Sequence, residues 1–173
     1  MFNFLQKIFR HRKYKIMIKA GATLFLQNFA QIVNDIISNL EKDGRIKSPL
    51  HKEVLKFEST AIIFWFFRFQ DLFGEPLQRL TLDEMHQQYF SHLKKNGYSG
   101  EHAQTICDDL NLRYRTYDKF TDGADDFVKV GTNFANFVSE RSKTDWDATE
   151  VMIPIELIKL ATAKFKEFRE VMK

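Results

Sequence analysis

Seven glycines and three prolines in 173 residues leave this chain few places to turn. An all-β sandwich or barrel needs a turn signal about every 8–12 residues, so the scarcity points to long helices instead. With 44% hydrophobic and 28% charged residues, the composition belongs to a packed globular chain and excludes a disordered or collagen-like one. One domain is the simplest arrangement at this length, burying roughly 70% of the surface exposed by the unfolded chain.

Local signals divide the chain into helices. The stretch GATLFLQNFAQIVNDIISNLEKDG repeats apolar residues at Leu26, Phe29, Ile32 or Val33, Ile36 and Leu40, a helix that should stop at Gly44. Ser48-Pro49 starts the next, which is expected to run to Gly74. Thr81 and Glu84 have capping-box spacing, predicting a helix from about Leu82 to Lys95 that ends at Asn96-Gly97. Ser99 can cap a fourth helix, with a seam of Ala103, Ile106, Cys107, Leu110, Tyr114 and Tyr117, broken at Asp122-Gly123. Asp125 and Asp126 suit the first turn of a fifth, whose stripe is Phe127, Val130, Gly131, Phe134 and Val138. Gly131 and Ala135 on that stripe would let a neighbouring backbone approach closely. A sixth carries Ile155, Ile158, Ala161, Phe165, Phe168 and Met172, with Pro154 opening it after a short turn around Trp146. The expected fold is therefore all-α: a single-domain bundle of about six helices over residues 20–173, preceded by a basic amphipathic arm over residues 1–19.

The charge distribution singles out that arm. Net charge is +3, yet Lys7, Arg10, Arg12, Lys13, Lys15 and Lys19 precede the first acid, Asp35, and the remainder carries 20 basic and 23 acidic residues. Phe2, Leu5, Ile8 and Phe9 recur at helical spacing beside the cations. Apolar and basic residues together suit contact of Phe2, Leu5, Lys7, Phe9, Arg10, Arg12, Lys13 and Lys15 with an anionic membrane surface. They also suit nucleic-acid phosphates, although the acidic remainder would repel a polyanion. Docking of the arm on its own bundle is the plainer alternative.

Residues 57–73, FESTAIIFWFFRFQDLF, hold seven aromatic side chains and two charges that fall within the greasy arc, Glu58 and Arg68. The longest apolar run, Ala61 to Phe67, is far short of the roughly 20 residues of a membrane span. A helix apolar nearly all round belongs at the centre of a bundle or at a subunit interface. Helical phase leaves Lys52, Lys56, Ser59 and Thr60 on its polar side. Glu58 and Arg68 stand about 15 Å apart along the axis and cannot pair, so each needs a partner elsewhere. In the alternative reading, Glu58, Arg68, His51 and Trp65 are the contacts of an apolar or aromatic small ligand in a Phe-rich pocket.

Little else carries chemistry. Asp83 and His86, at i and i+3, are the nearest approach to a metal pair, but a di-metal bundle needs two such motifs and two further Glu. The acidic run from Asp108 to Asp126 lacks the Gly and Glu of a calcium loop. Cys107 reads as core filler, and as the one cysteine it fits a reducing compartment. No phosphate loop, nucleophile elbow or Cys-x-x-Cys occurs, so no cofactor is expected. The N-terminus lacks the order of a signal peptide. The sequence thus favours a non-enzymatic bundle acting through a protein partner or self-association, cytoplasmic or peripheral to a membrane. The small-ligand reading and a metal-dependent helical enzyme compete with it.

Overall fold

The computed structural model describes the backbone of residues 2–68, 74, 77–120, 126–145 and 148–172, and the side chains of 14–68, 74, 77–119, 128–145 and 148–167. Six α-helices account for nearly all of it: α1 (Phe2–Lys42), α2 (Pro49–Phe67), α3 (Leu77–Lys95), α4 (Gly100–Tyr117), α5 (Asp126–Ser142) and α6 (Ala148–Met172), with one 3₁₀ turn at Asp118–Phe120. No strand occurs among the described residues. The all-α bundle of about six helices is the observed architecture. Its arm and first bundle helix are one continuous helix.

Short-range chemistry sets most ends. The Ser48 hydroxyl accepts from the His51 amide and Pro49 follows at the first position, so α2 starts as expected. Ser99 accepts from the His102 amide in the same way. α1 gives way at Gly44, whose φ of 69° suits a residue without a side chain.

Three expectations need correction. α2 ends at Phe67 rather than Gly74, and residues 69–73 lie outside those described. α3 starts at Leu77, not beyond Thr81, and the Thr81 hydroxyl donates to the Leu77 carbonyl as an interior helical residue does. The two shifts are connected. Gln78 is buried and its amide donates to the Phe67 carbonyl at 2.7 Å, satisfying the frayed end of α2 and ordering α3 from its first turn. Pro154 lies inside α6 instead of opening it. Ile153 and Leu157, on either side, are buried, so the core holds the helix together across the missing amide. Trp146, Phe168 and Met172 fall on undescribed residues or side chains.

α2 is the central element, packed against α1, α4, α5 and α6, as its nearly all-round apolar surface requires. Ile62, Ile63, Phe64 and Phe67 are at most 1% exposed. Ser59, assigned to the polar side, is fully buried, and its hydroxyl has no partner among the described residues. A nest of rings joins α1 and α2 to α6: Phe25 and Phe67 are 5.0 Å apart edge to face, and Phe29 and Phe165 are 5.6 Å apart. The α4 seam is buried at Ala103, Cys107, Leu110, Tyr114 and Tyr117, with Ile106 half-buried. α5 and α6 meet at Gly131, where a Cβ would lie 2.2 Å from the Val151 carbonyl oxygen. Only glycine permits that approach.

Candidate functional site

Glu58 is fully buried and faces α4 and α5. The Arg113 Nε–H donates to its two carboxylate oxygens at 3.0 and 3.1 Å, and the Arg141 guanidinium stands 3.7 Å away. The Arg113 guanidinium carbon lies over the Phe137 ring, 3.6 Å from its centroid, and that of Arg141 over Phe57 at 5.0 Å. Arg141 also pairs with Asp109, so two carboxylates balance two guanidinium groups. Burial raises the Glu58 pKa above its ordinary value, while Arg113 first and then Arg141 pull it back. This carboxylate is a strut between three helices.

Arg68 reaches the end of α4 instead. Its Nη1 donates to Asp118 at 3.1 and 3.3 Å, and the Trp65 indole N–H donates to the same carboxylate at 3.0 Å. His51, at 1% exposure, ties α2 to the start of α6. Its Nδ1 accepts from the Lys47 amide at 3.0 Å, which places the ring proton on Nε2, facing Glu150 Oε1 at 3.2 Å. Lys47 reaches Glu150 at 3.3 Å and also the Asp145 carbonyl, and Arg45 reaches Thr149. Glu150 occupies the first turn of α6, where the helix dipole favours an anion. The four residues singled out as ligand contacts are therefore distributed over three separate clusters, each joining helices distant in sequence.

Two grooves open between helices. The first, about 1040 Å³, lies between α3 and α4 and is lined by polar groups including Arg68, Asp83, His86, Arg115 and Asp118. His86 Nε2 is 3.1 Å from the Tyr114 hydroxyl, and Phe64 packs edge-on against its ring. Burial lowers the His86 pKa below its usual value, Asp83 opposes this and Arg68 adds to it. The described residues contain no group of three or more His, Cys, Asp or Glu placed to hold a metal, so Asp83 and His86 lack a third ligand there. Cys107 also lines this groove, and burial pushes its thiol up, away from the reactive thiolate. The second groove, about 730 Å³, lies between α1 and α3 with α2 as its floor, and its lining is mainly apolar. Glu58, His51 and Trp65 line neither.

α1 is a third distinctive feature. Among its described side chains the first buried residue is Gly21, whereas Tyr14, Ile16 and Met17 are 48, 69 and 38% exposed, with Lys15 and Lys19 exposed among them. Within Tyr14–Lys42 the helix is long and apolar enough, by composition, to cross a membrane. Reading uninterrupted apolar runs misses this because Gln27 and Asn28 divide the stretch. Phe25, Phe29, Ile32, Val33 and Ile37 of the same stretch are buried in the bundle, and a core helix passes the same measure. The expected contacts Phe2, Leu5, Lys7, Phe9, Arg10, Arg12 and Lys13 lie outside the side chains described.

Sequence reasoning did not identify the partners: Arg113, Arg141, Glu150 and Asp118. A signal existed for two of them. Arg113 follows the buried Leu110 by three residues and Arg141 follows the buried Val138 by three, so each extends a core stripe with a cation. Compared with known protein families, curated proteins and solved structures, the chain matches none.

Proposed function

We propose that the chain is a non-enzymatic helical bundle that works by contacting other macromolecules, and that its basic first helix brings it to an anionic membrane surface. The exposure of Tyr14, Ile16 and Met17 beside Lys15 and Lys19, ahead of the buried Gly21 and Ala22, carries this reading. Apolar side chains of that kind enter the boundary between headgroups and acyl chains, while lysines meet lipid phosphates. Each basic residue near such a surface is worth about 1 kcal/mol, so the six cations of residues 1–19 would act together. The engagement of Glu58 by Arg113, and of His51 by Glu150, supports a structural use of the ionisable interior.

Vesicle flotation tests it. The full chain should float with vesicles containing phosphatidylserine and not with phosphatidylcholine alone, and salt should release it. Removing residues 1–13, or combining Lys15→Glu with Ile16→Asp in the full chain, should abolish flotation without changing helix content. Equal flotation of these variants would overturn the membrane part of the proposal. Binding to an RNA or DNA oligonucleotide that depends on the same residues, without vesicle binding, would replace it with a nucleic-acid surface. A concentration-dependent dimer that dissociates in the same variants would replace it with self-association.

A further inference from the structure

The trough between α1 and α3 has a chemistry of its own and shares Lys19 with the exposed stretch of α1. Leu26 and Ala30 of α1 and Tyr89 of α3 make its accessible apolar surface, over a buried floor of Phe29, Val33, Ile63 and Phe64. Its uncharged polar residues are largely engaged already. The Thr60 hydroxyl donates to the Lys56 carbonyl and the Ser91 hydroxyl to the Gln87 carbonyl. Thr23 donates to the Gln88 side-chain oxygen at 3.0 Å, and the Gln88 amide donates to Glu84 at 3.0 Å and to the Lys19 carbonyl at 3.3 Å.

Gln88 therefore clasps α1 to α3 at one point, where Glu84, the one carboxylate among the described lining residues, is held near Lys19. Lys95 lies seven residues further along α3, about 10 Å from that clasp. The last turn of α3 carries His92, Lys94 and Lys95, and three basic residues outweigh the partial negative charge of a helix C-terminus. His92 and Lys95 both line the trough. The site thus has a polar end where Lys19 and Glu84 offset each other, an apolar middle and a basic end. Its volume falls within the usual range of small-molecule sites, roughly 300–1,000 Å³.

We propose that this trough binds a long-chain carboxylate, with the hydrocarbon tail against Leu26, Ala30 and Tyr89 and the carboxylate at Lys95. Charge complementarity sets the orientation, because the described lining residues place no acid beside Lys95, whereas Lys19 at the other end shares its place with Glu84. Lys19 is common to the trough and to residues 1–19. Ala30 and Lys95, the positions substituted to test the proposal, lie outside residues 1–19, so its failure and that of vesicle binding are read separately.

Calorimetric titration of the full chain with dodecanoate and with its methyl ester, both below their micelle thresholds, tests it. Dodecanoate should bind saturably at one molecule per chain, and the uncharged ester should bind at least about tenfold more weakly. Lys95→Glu, at an exposed side chain, should weaken dodecanoate by about tenfold or more while leaving the thermal melt unchanged. Ala30→Trp, at an exposed position of the trough wall, should remove binding by filling the space. Absence of saturable heat with dodecanoate would overturn the proposal. So would equal affinities for acid and ester, or undiminished binding by Lys95→Glu and Ala30→Trp.

Discussion

The two sides of α2 are built on different terms. Toward α4, α5 and α6 it places Glu58 and His51 in dry surroundings, and each is met by a charged group from another helix. Toward α1 and α3 it presents Ile63 and Phe64, and there the flanking helices are clasped at Gln88 and leave a trough. Burying an ionised group costs several kcal/mol unless a partner stands in one particular geometry, so such groups fix the positions of neighbouring helices. Apolar side chains ask only to be covered, and above the covered Ile63 and Phe64 the groove between α1 and α3 leaves room for a ligand.

The largest test of that contrast is Arg113→Ala. Stranding Glu58 should lower the unfolding free energy by about 3 kcal/mol in urea titrations at neutral pH. Protonation of Glu58 limits the cost, so the loss should shrink in acid; a loss well under 1 kcal/mol at neutral pH would mean that the pair does not hold the closed side together. Gly131→Ala comes next, at about 2 kcal/mol, because the added carbon meets the Val151 carbonyl, a backbone atom that cannot swing away. If that variant melts like the native chain, α5 and α6 are not in close contact.

Ser48→Ala, at the start of the central helix, should cost about 1 kcal/mol by freeing the His51 amide, which the same titrations would resolve. A pH comparison of the native chain with Glu58→Gln is subtler and is read by its sign. A carboxyl whose folded pKa is raised contributes stability below its unfolded value near 4.5, and this is lost as pH rises through the folded pKa. The native chain should therefore lose ground to the glutamine variant as pH climbs from about 4 toward neutrality. A difference that stays flat, or that favours the native chain increasingly with pH, would show that the arginines outweigh burial. The smallest effect belongs to the open side. Ala30→Trp should change stability by no more than about 0.5 kcal/mol, a thermal melt being enough to show it. A large loss there would mean that the trough is as tightly packed as the other side of α2.

Much of the bundle could be read from short stretches of residues. A capping serine, a glycine past a helix end and an apolar stripe each act within a few residues, which is why Ser48, Ser99, Gly44 and the seam from Ala103 to Tyr117 were legible. Gly131 was legible as a point of close approach for the same reason, although not its partner. Thr81 and Pro154 misled because their local signals were outweighed by contacts made elsewhere: Gln78 on the Phe67 carbonyl, and Ile153 and Leu157 in the core.

The residue order by itself determined that the chain is helical, that α2 must be covered on most of its faces, and that Glu58 and Arg68 could not pair with each other. Which cation meets Glu58, which acid meets Arg68 and where a trough remains were decided only by the tertiary structure. Glu58 and Arg113 are 55 residues apart in the chain, and Arg68 and Asp118 are 50 apart. Helical periodicity places a charge on a face, but the direction and neighbour of that face depend on how six helices pack around one another.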